Sequence, residues 1–97
     1  MSIARIIYTA VPADRAEEAE KDWKEECAPL MRRQPGCRAE KLLHNIDNPG
    51  EYVSYSEWTD AGSIEAYVQS DDHQEIKRRT AGIKDATVVV KHYEIAE

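Results

Sequence analysis

The sequence predicts an α+β fold of ferredoxin-like order, βαββαβ: one antiparallel sheet with its helices on one face. Three observations predict it. Four short segments are rich in β-branched and aromatic residues, and two longer ones carry apolar residues at steps of three and four. Turn signals at Pro35-Gly36, Asn48-Pro49-Gly50-Glu51 and Gly82 separate them. No repeat, linker or low-complexity tract interrupts the 97 residues, so the expectation is one domain spanning 1–97.

Residues Ile3–Ala10 read as the first strand, ended by Pro12. Residues 14–33 read as a helix whose inner face carries Ala16, Ala19, Trp23, Cys27 and Leu30. Acidic residues at its start and Arg32-Arg33 at its end suit the helix dipole. Pro29 lacks a backbone donor and predicts a kink or a restart there. Gly36 closes the segment with the freedom to take positive φ.

Residues 37–47 and 52–58 read as the next two strands, joined by a type II turn at Asn48-Pro49-Gly50-Glu51. Setting Asn48 against Glu51 places His44 opposite Tyr55, Ile46 opposite Val53 and Leu42 opposite Glu57. The other face then carries Ser54, Ser56 and Trp58. Asp60 caps a helix with the apolar stripe Ile64, Tyr67 and Val68. Ser70 opens a further helical segment bearing His73 and Ile76, and Ala86–Ile95 reads as the last strand.

Both helices fall on one side of this sheet, so the face with Leu42, Ile46, Val53 and Tyr55 has no cover. An exposed apolar face of that size is rare in monomers, and a second copy packed sheet to sheet covers it. The expected partner is therefore an identical chain. The formal charge of −6 argues against nucleic acid and anionic membrane surfaces as partners. No stretch approaches the roughly 20 apolar residues of a membrane span. The first residues show no secretory pattern, and Cys27 and Cys37 do not make a disulfide framework. A cytoplasmic protein with reduced thiols is the expectation.

Several residue types suit a site. Two serines in a core strand, Ser54 and Ser56, leave room for a ligand and offer hydroxyls. Trp58 shares their face, and Tyr67 lies on the helix stripe above them. His73 titrates near neutral pH and suits proton transfer. Read as packing alone, Trp58 and Tyr67 are core anchors and His73 a helix-start residue. No pair of histidines has ligand spacing, and neither a phosphate loop nor a nucleophile elbow is present.

Pro35-Gly36-Cys37, Glu57-Trp58-Thr59-Asp60 and Ser70-Asp71-Asp72-His73 follow one another in an order and at a spacing that resemble the antibiotic-biosynthesis-monooxygenase-like family over nearly the whole chain. The resemblance implies a homodimeric α+β barrel with a pocket in each subunit, between sheet and helices. The family's enzymes include cofactor-independent oxygenases of anthrones and quinols, a heme-degrading branch and isomerases. The heme-degrading members' asparagine, tryptophan and histidine are replaced here by Ile7, Tyr67 and Lys77, so no heme is expected. Flavin and metal are not expected either. The anthrone oxygenases carry an asparagine where this chain has Ser54.

The resemblance thus implies a monooxygenase without cofactor, acting on a small aromatic or quinol-like compound. His73 would be the base, Trp58 the wall on which a flat ring stacks, and Ser54, Ser56 and Tyr67 the substrate contacts. The alternatives are an isomerase or cyclase in the same pocket, and a non-catalytic ligand-binding or structural dimer.

Overall fold

The structure, a computed structural model, describes residues 2–81 and 87–96. Ile3–Ala10 forms β1, and a 3-10 turn at Ala13–Arg15 leads into α1 (Ala16–Asp22). A π-helical turn at Trp23–Cys27 joins α1 to α2 (Ala28–Arg32). There follow β2 (Cys37–His44), β3 (Glu51–Trp58), α3 (Ala61–Val68), α4 (Asp71–Ala81) and β4 (Thr87–Glu94). The strand order is β2-β3-β1-β4, with each neighbouring pair antiparallel. This is the ferredoxin-like arrangement, with β3 inserted between the parallel strands β1 and β2. Gly82 and Ala86, which the sequence places at a helix end and a strand start, lie outside the described residues.

The break in the first helix falls just ahead of Pro29. The Ala28 N–H reaches the Trp23 carbonyl, five residues back, and Pro29 then sits in the first turn of α2, where its missing donor costs little. One extra residue in a turn advances the helical phase by about 100°. Beyond the π turn, Ala28 and Met31 therefore become buried, and Leu30 moves to the edge of the core.

The hairpin between β2 and β3 differs from the sequence expectation. The turn does form, with Glu51 N–H on the Asn48 carbonyl (3.2 Å) and Gly50 at φ 99°. The strands resume pairing only at Asn45, whose N–H bonds the Glu51 carbonyl at 3.0 Å. The Asn45 side chain accepts from the N–H groups of Asp47 and Asn48 at 2.8 and 3.1 Å, bending the chain before the expected strand end. His44 consequently pairs with Tyr52, Leu43 with Val53 and Leu42 with Ser54. That is a slip of three, an odd number, so β2 turns over relative to β3. A bulge between Cys37 and Ala39 restores parity, leaving Cys37 opposite Trp58.

The helix-facing side of the sheet carries Tyr52, Ser54, Ser56 and Trp58, all buried. Leu42, expected on the uncovered face, lies on this side, and Ile46 lies in the loop, 94% exposed. The uncovered face instead combines Val53 and Tyr55 with Leu43, Tyr8, Val89 and Tyr93. Val68, expected on the inner stripe of α3, is exposed. The core packs Trp58, Tyr67, Ile64, Met31, Cys27 and Ile76 between sheet and helices. Burial pushes the Cys27 thiol up to about 12, so it is an inert core group. At the β2 edge the buried Glu40 accepts from Trp23 Nε1 at 3.1 Å and lies 3.1 Å from Arg32 Nη2.

Gly36 and Gly50 have positive φ for different reasons. Gly36 (φ 90°) lets the chain pass α3, where a Cβ would collide with Ser63 Oγ. Gly50 lies against the end of β1, its carbonyl accepting from Val11 N–H at 2.8 Å.

Candidate functional site

Strand alternation and two helix caps bring the sequence-predicted residues together. Ser54, Ser56 and Trp58 are alternate residues of β3 and face the helices. Asp60 caps α3 by accepting from Ser63 N–H at 2.8 Å. Ser70 links α3 to α4: its hydroxyl donates to the Tyr67 carbonyl (2.6 Å) and accepts from His73 N–H (3.2 Å). The start of α4 is held from the segment just after α2 by Asp72, which accepts from Arg33 through both oxygens and from Gln34 Nε2.

Trp58 and Tyr67 stack with centroids 5.1 Å apart and planes at 26°. His73 meets the Tyr67 ring edge-on, at 5.0 Å and 79°. Trp58 has no exposed surface. Its indole N–H donates to Ser56 Oγ at 2.8 Å, and Ser56 lies 3.4 Å from the Arg5 carbonyl. The Ser56 hydroxyl is thus spent inside the protein, and Tyr67 occupies the side of Trp58 that a ligand ring was expected to use. Ser54 differs: its hydroxyl is buried with no hydrogen-bond partner among the described residues.

His73 is half-buried, and its Nδ1 has no partner among the described residues. Burial, then the positive charges of Arg5 and Lys77, hold its pKa below the ordinary 6.5, and the Val68 carbonyl offsets this in part. The imidazole is therefore neutral at pH 7 and able to take a proton. Burial, the largest influence on Tyr67, pushes its phenol up to about 12, so it stays a neutral donor.

Sequence reasoning missed Arg5. It has the strand parity of Ile3 and Ile7, opposite Ser56 and His92, and so faces the helices. It is 6% exposed, with its guanidinium carbon 5.7 Å from the Tyr67 ring centre. A charged residue at a core-parity position of an apolar strand is the signal that could have found it. Burial lowers its pKa, and nearby Tyr67 acts the other way.

Surface depressions lie at the sheet end and beside Tyr67. One of about 430 Å³ sits at the end of the sheet by Thr9, His44 and Tyr52, where His44 stacks on Tyr52 at 4.6 Å. One of about 470 Å³ lies between α3 and the loop before β2, bordered by Gln34, Pro35, Ser63 and Tyr67. Among the described residues no group of three or more His, Cys, Asp or Glu side chains could hold a metal ion. Among the described residues no helix is long and apolar enough to cross a membrane.

The family model described as antibiotic biosynthesis monooxygenase matches residues 2–79. No curated protein matches in sequence. Solved structures of similar fold include a Bordetella bronchiseptica protein described provisionally as an antibiotic biosynthesis monooxygenase. It is 23% identical with a TM-score of 0.86, covering 99% of this chain and 98% of that one. Rv0793 from Mycobacterium tuberculosis is 16% identical with a TM-score of 0.83, covering 100% and 97%. SnoaB, a cofactor-independent oxygenase from Streptomyces nogalater solved as an asparagine-to-alanine mutant, is 16% identical with a TM-score of 0.80, covering 99% and 94%. At these identities the likeness is one of fold.

Proposed function

Because the chain belongs to the antibiotic biosynthesis monooxygenase family, we propose that it is a cofactor-independent monooxygenase acting on a small aromatic or quinol-like compound. It works as a cytoplasmic homodimer. One observation carries the reading: the neutral His73 imidazole, its Nδ1 unpartnered, set against the Tyr67–Trp58 stack between sheet and helices. A base beside a flat aromatic surface suits an aromatic substrate that must lose a proton.

His73 takes the proton of a ring hydroxyl, and the electron-rich anion reacts with dioxygen. For a hydroquinone the balance is hydroquinone plus dioxygen to hydroxyquinone plus water. One oxygen atom stays in the product, the other leaves as water, and the substrate supplies all four electrons. Tyr67 forms the near wall, with Trp58 behind it as the plate that holds its orientation. Ser54 offers its hydroxyl to a substrate oxygen, and Ser56 positions Trp58. Tyr67 also borders the depression at Gln34 and Ser63, so its displacement gives the way in. The close packing around Ser56 and Trp58 favours a second reading, a structural dimer without turnover.

The test is oxygen uptake with a panel of hydroquinones. Expected are uptake well above the spontaneous rate, one dioxygen per substrate, and a loss of about a hundredfold or more in His73→Ala. Uptake no faster than without protein across the panel would overturn the reading.

A further inference from the structure

We propose that Arg5, Tyr67 and His73 together form a binding site for an aromatic oxyanion, with the Arg5 guanidinium as the group that fixes it. The catalytic use of that site rests on the oxygenase reading above; the binding site itself does not.

The first support is charge. Arg15, Arg32, Arg33, Arg78 and Arg79 all pair with carboxylates, and all are more exposed than Arg5. Arg5 is 6% exposed and has no carboxylate partner among the described residues. A buried guanidinium without a counter-charge is costly, and a bound anion removes that cost. The groups that act on it directly supply no negative charge, since the Tyr67 phenol is neutral and His92 is a base; the carboxylate that acts on Tyr67, Asp72, is already held by Arg33 and Gln34. A slip that turned Arg5 outward would also expose Ile3 and Ile7, so its placement is fixed by the strand.

The second support is hydrogen bonding. Arg5 Nε, Ser54 Oγ and His73 Nδ1 are buried polar atoms without partners among the described residues. Such atoms are rare in folded proteins and call for an occupant. Arg5 and Ser54 come from adjacent strands one step apart in register, and Arg5 and His73 both lie against the Tyr67 ring. An oxygen here can accept from Arg5 and from the Ser54 hydroxyl while facing His73. The ring walls select an aromatic body over a bare inorganic anion.

The oxyanion can arise in two ways. A phenolic hydroxyl gives its proton to His73 Nδ1: the O–H bond breaks, its electron pair stays on oxygen, and an N–H bond forms. A carboxylate arrives already charged. In both cases Arg5 holds the charged oxygen.

The test is calorimetric titration of the full chain with benzoate and with benzamide, its neutral counterpart of similar shape. A parallel titration with 4-nitrophenol reads the phenolate band. Benzoate is expected to bind at least about tenfold tighter than benzamide, and bound 4-nitrophenol to shift toward the phenolate. Arg5→Gln should abolish the preference, Arg5→Lys should keep part of it, and Glu17→Gln, an exposed change on α1, should leave benzoate affinity unchanged. The proposal fails if the wild-type protein binds benzoate no better than benzamide, or binds neither. It fails also if Arg5→Gln, folded by circular dichroism, keeps the preference. Should Arg5→Gln not fold, the wild-type comparison and Arg5→Lys decide. None of these readouts uses oxygen. Benzoate binding without quinol turnover refutes the oxygenase reading alone, and turnover without oxyanion preference refutes this site alone.

Discussion

Val53→Asp tests the uncovered sheet face. Val53 lies on a central strand, opposite Tyr8 on one side and Leu43 on the other. Tyr8 and Leu43 are 43% and 49% exposed in the single chain, a large value for residues flanking a sheet centre. In a lone protomer an aspartate at position 53 keeps part of its hydration. In a sheet-to-sheet dimer it loses that hydration, at a cost of about 3 kcal/mol. Twofold symmetry places the change in the interface twice, so the dimer loses about 6 kcal/mol, or roughly four orders of magnitude in dissociation constant. Sedimentation equilibrium reads this directly. The wild type should have twice the chain mass of 11.1 kDa and the variant a single mass. Ala66→Asp on the outer surface of α3 should leave the dimer intact. A wild-type mass of one chain, or a variant still dimeric at micromolar concentration, refutes the reasoning.

Three other perturbations separate site from scaffold. Ser54→Ala removes a buried hydroxyl that has no partner, so melting should show no loss and up to about 1 kcal/mol of gain; a clear loss would reveal an unrecognised partner. His73 has a lowered folded pKa, so the unfolded chain binds more protons. Its contribution to stability is full above the ordinary 6.5 and is lost as pH falls through the folded value. Denaturant melts between about pH 7 and 5 should show a shallower pH slope for His73→Gln than for the wild type, and equal slopes would count against the burial argument. Gly36→Ala should cost about 1–3 kcal/mol through its positive φ and the clash with Ser63. Adding Ser63→Gly should recover only the part due to the clash, as measured by urea unfolding.

Local chemistry carried much of this fold into the sequence. Ile3–Ala10, the Asp60 cap and the Ser70 helix start were legible because each depends on a few neighbouring residues. The facing of Ser54, Ser56 and Trp58 was legible from strand alternation alone. The partner strand was not, because a side chain decides it. Asn45 folds back on the amides of Asp47 and Asn48 and shortens β2, an event that strand propensity does not encode. The π turn before Pro29 likewise exchanges Leu30 for Met31 in the core, since a proline marks a disturbance and not its phase. Within the site, the aromatic pair and His73 stood out by residue type. Arg5 did not, because its meaning lies in the missing carboxylate, and that is a property of the assembled sheet.

The seat of Gly50 against Val11 has a consequence for the order of folding. The same residue closes the β2–β3 turn and receives the Val11 amide at the end of β1, 39 positions earlier in the chain (50 minus 11). The turn forms on the microsecond scale because its ends are close, whereas β1 must close a long loop to arrive. Gly50 thus serves a fast event and a slow one. A substitution there is expected to slow sheet assembly as well as to destabilise the finished protein, which folding kinetics of Gly50→Ala would read.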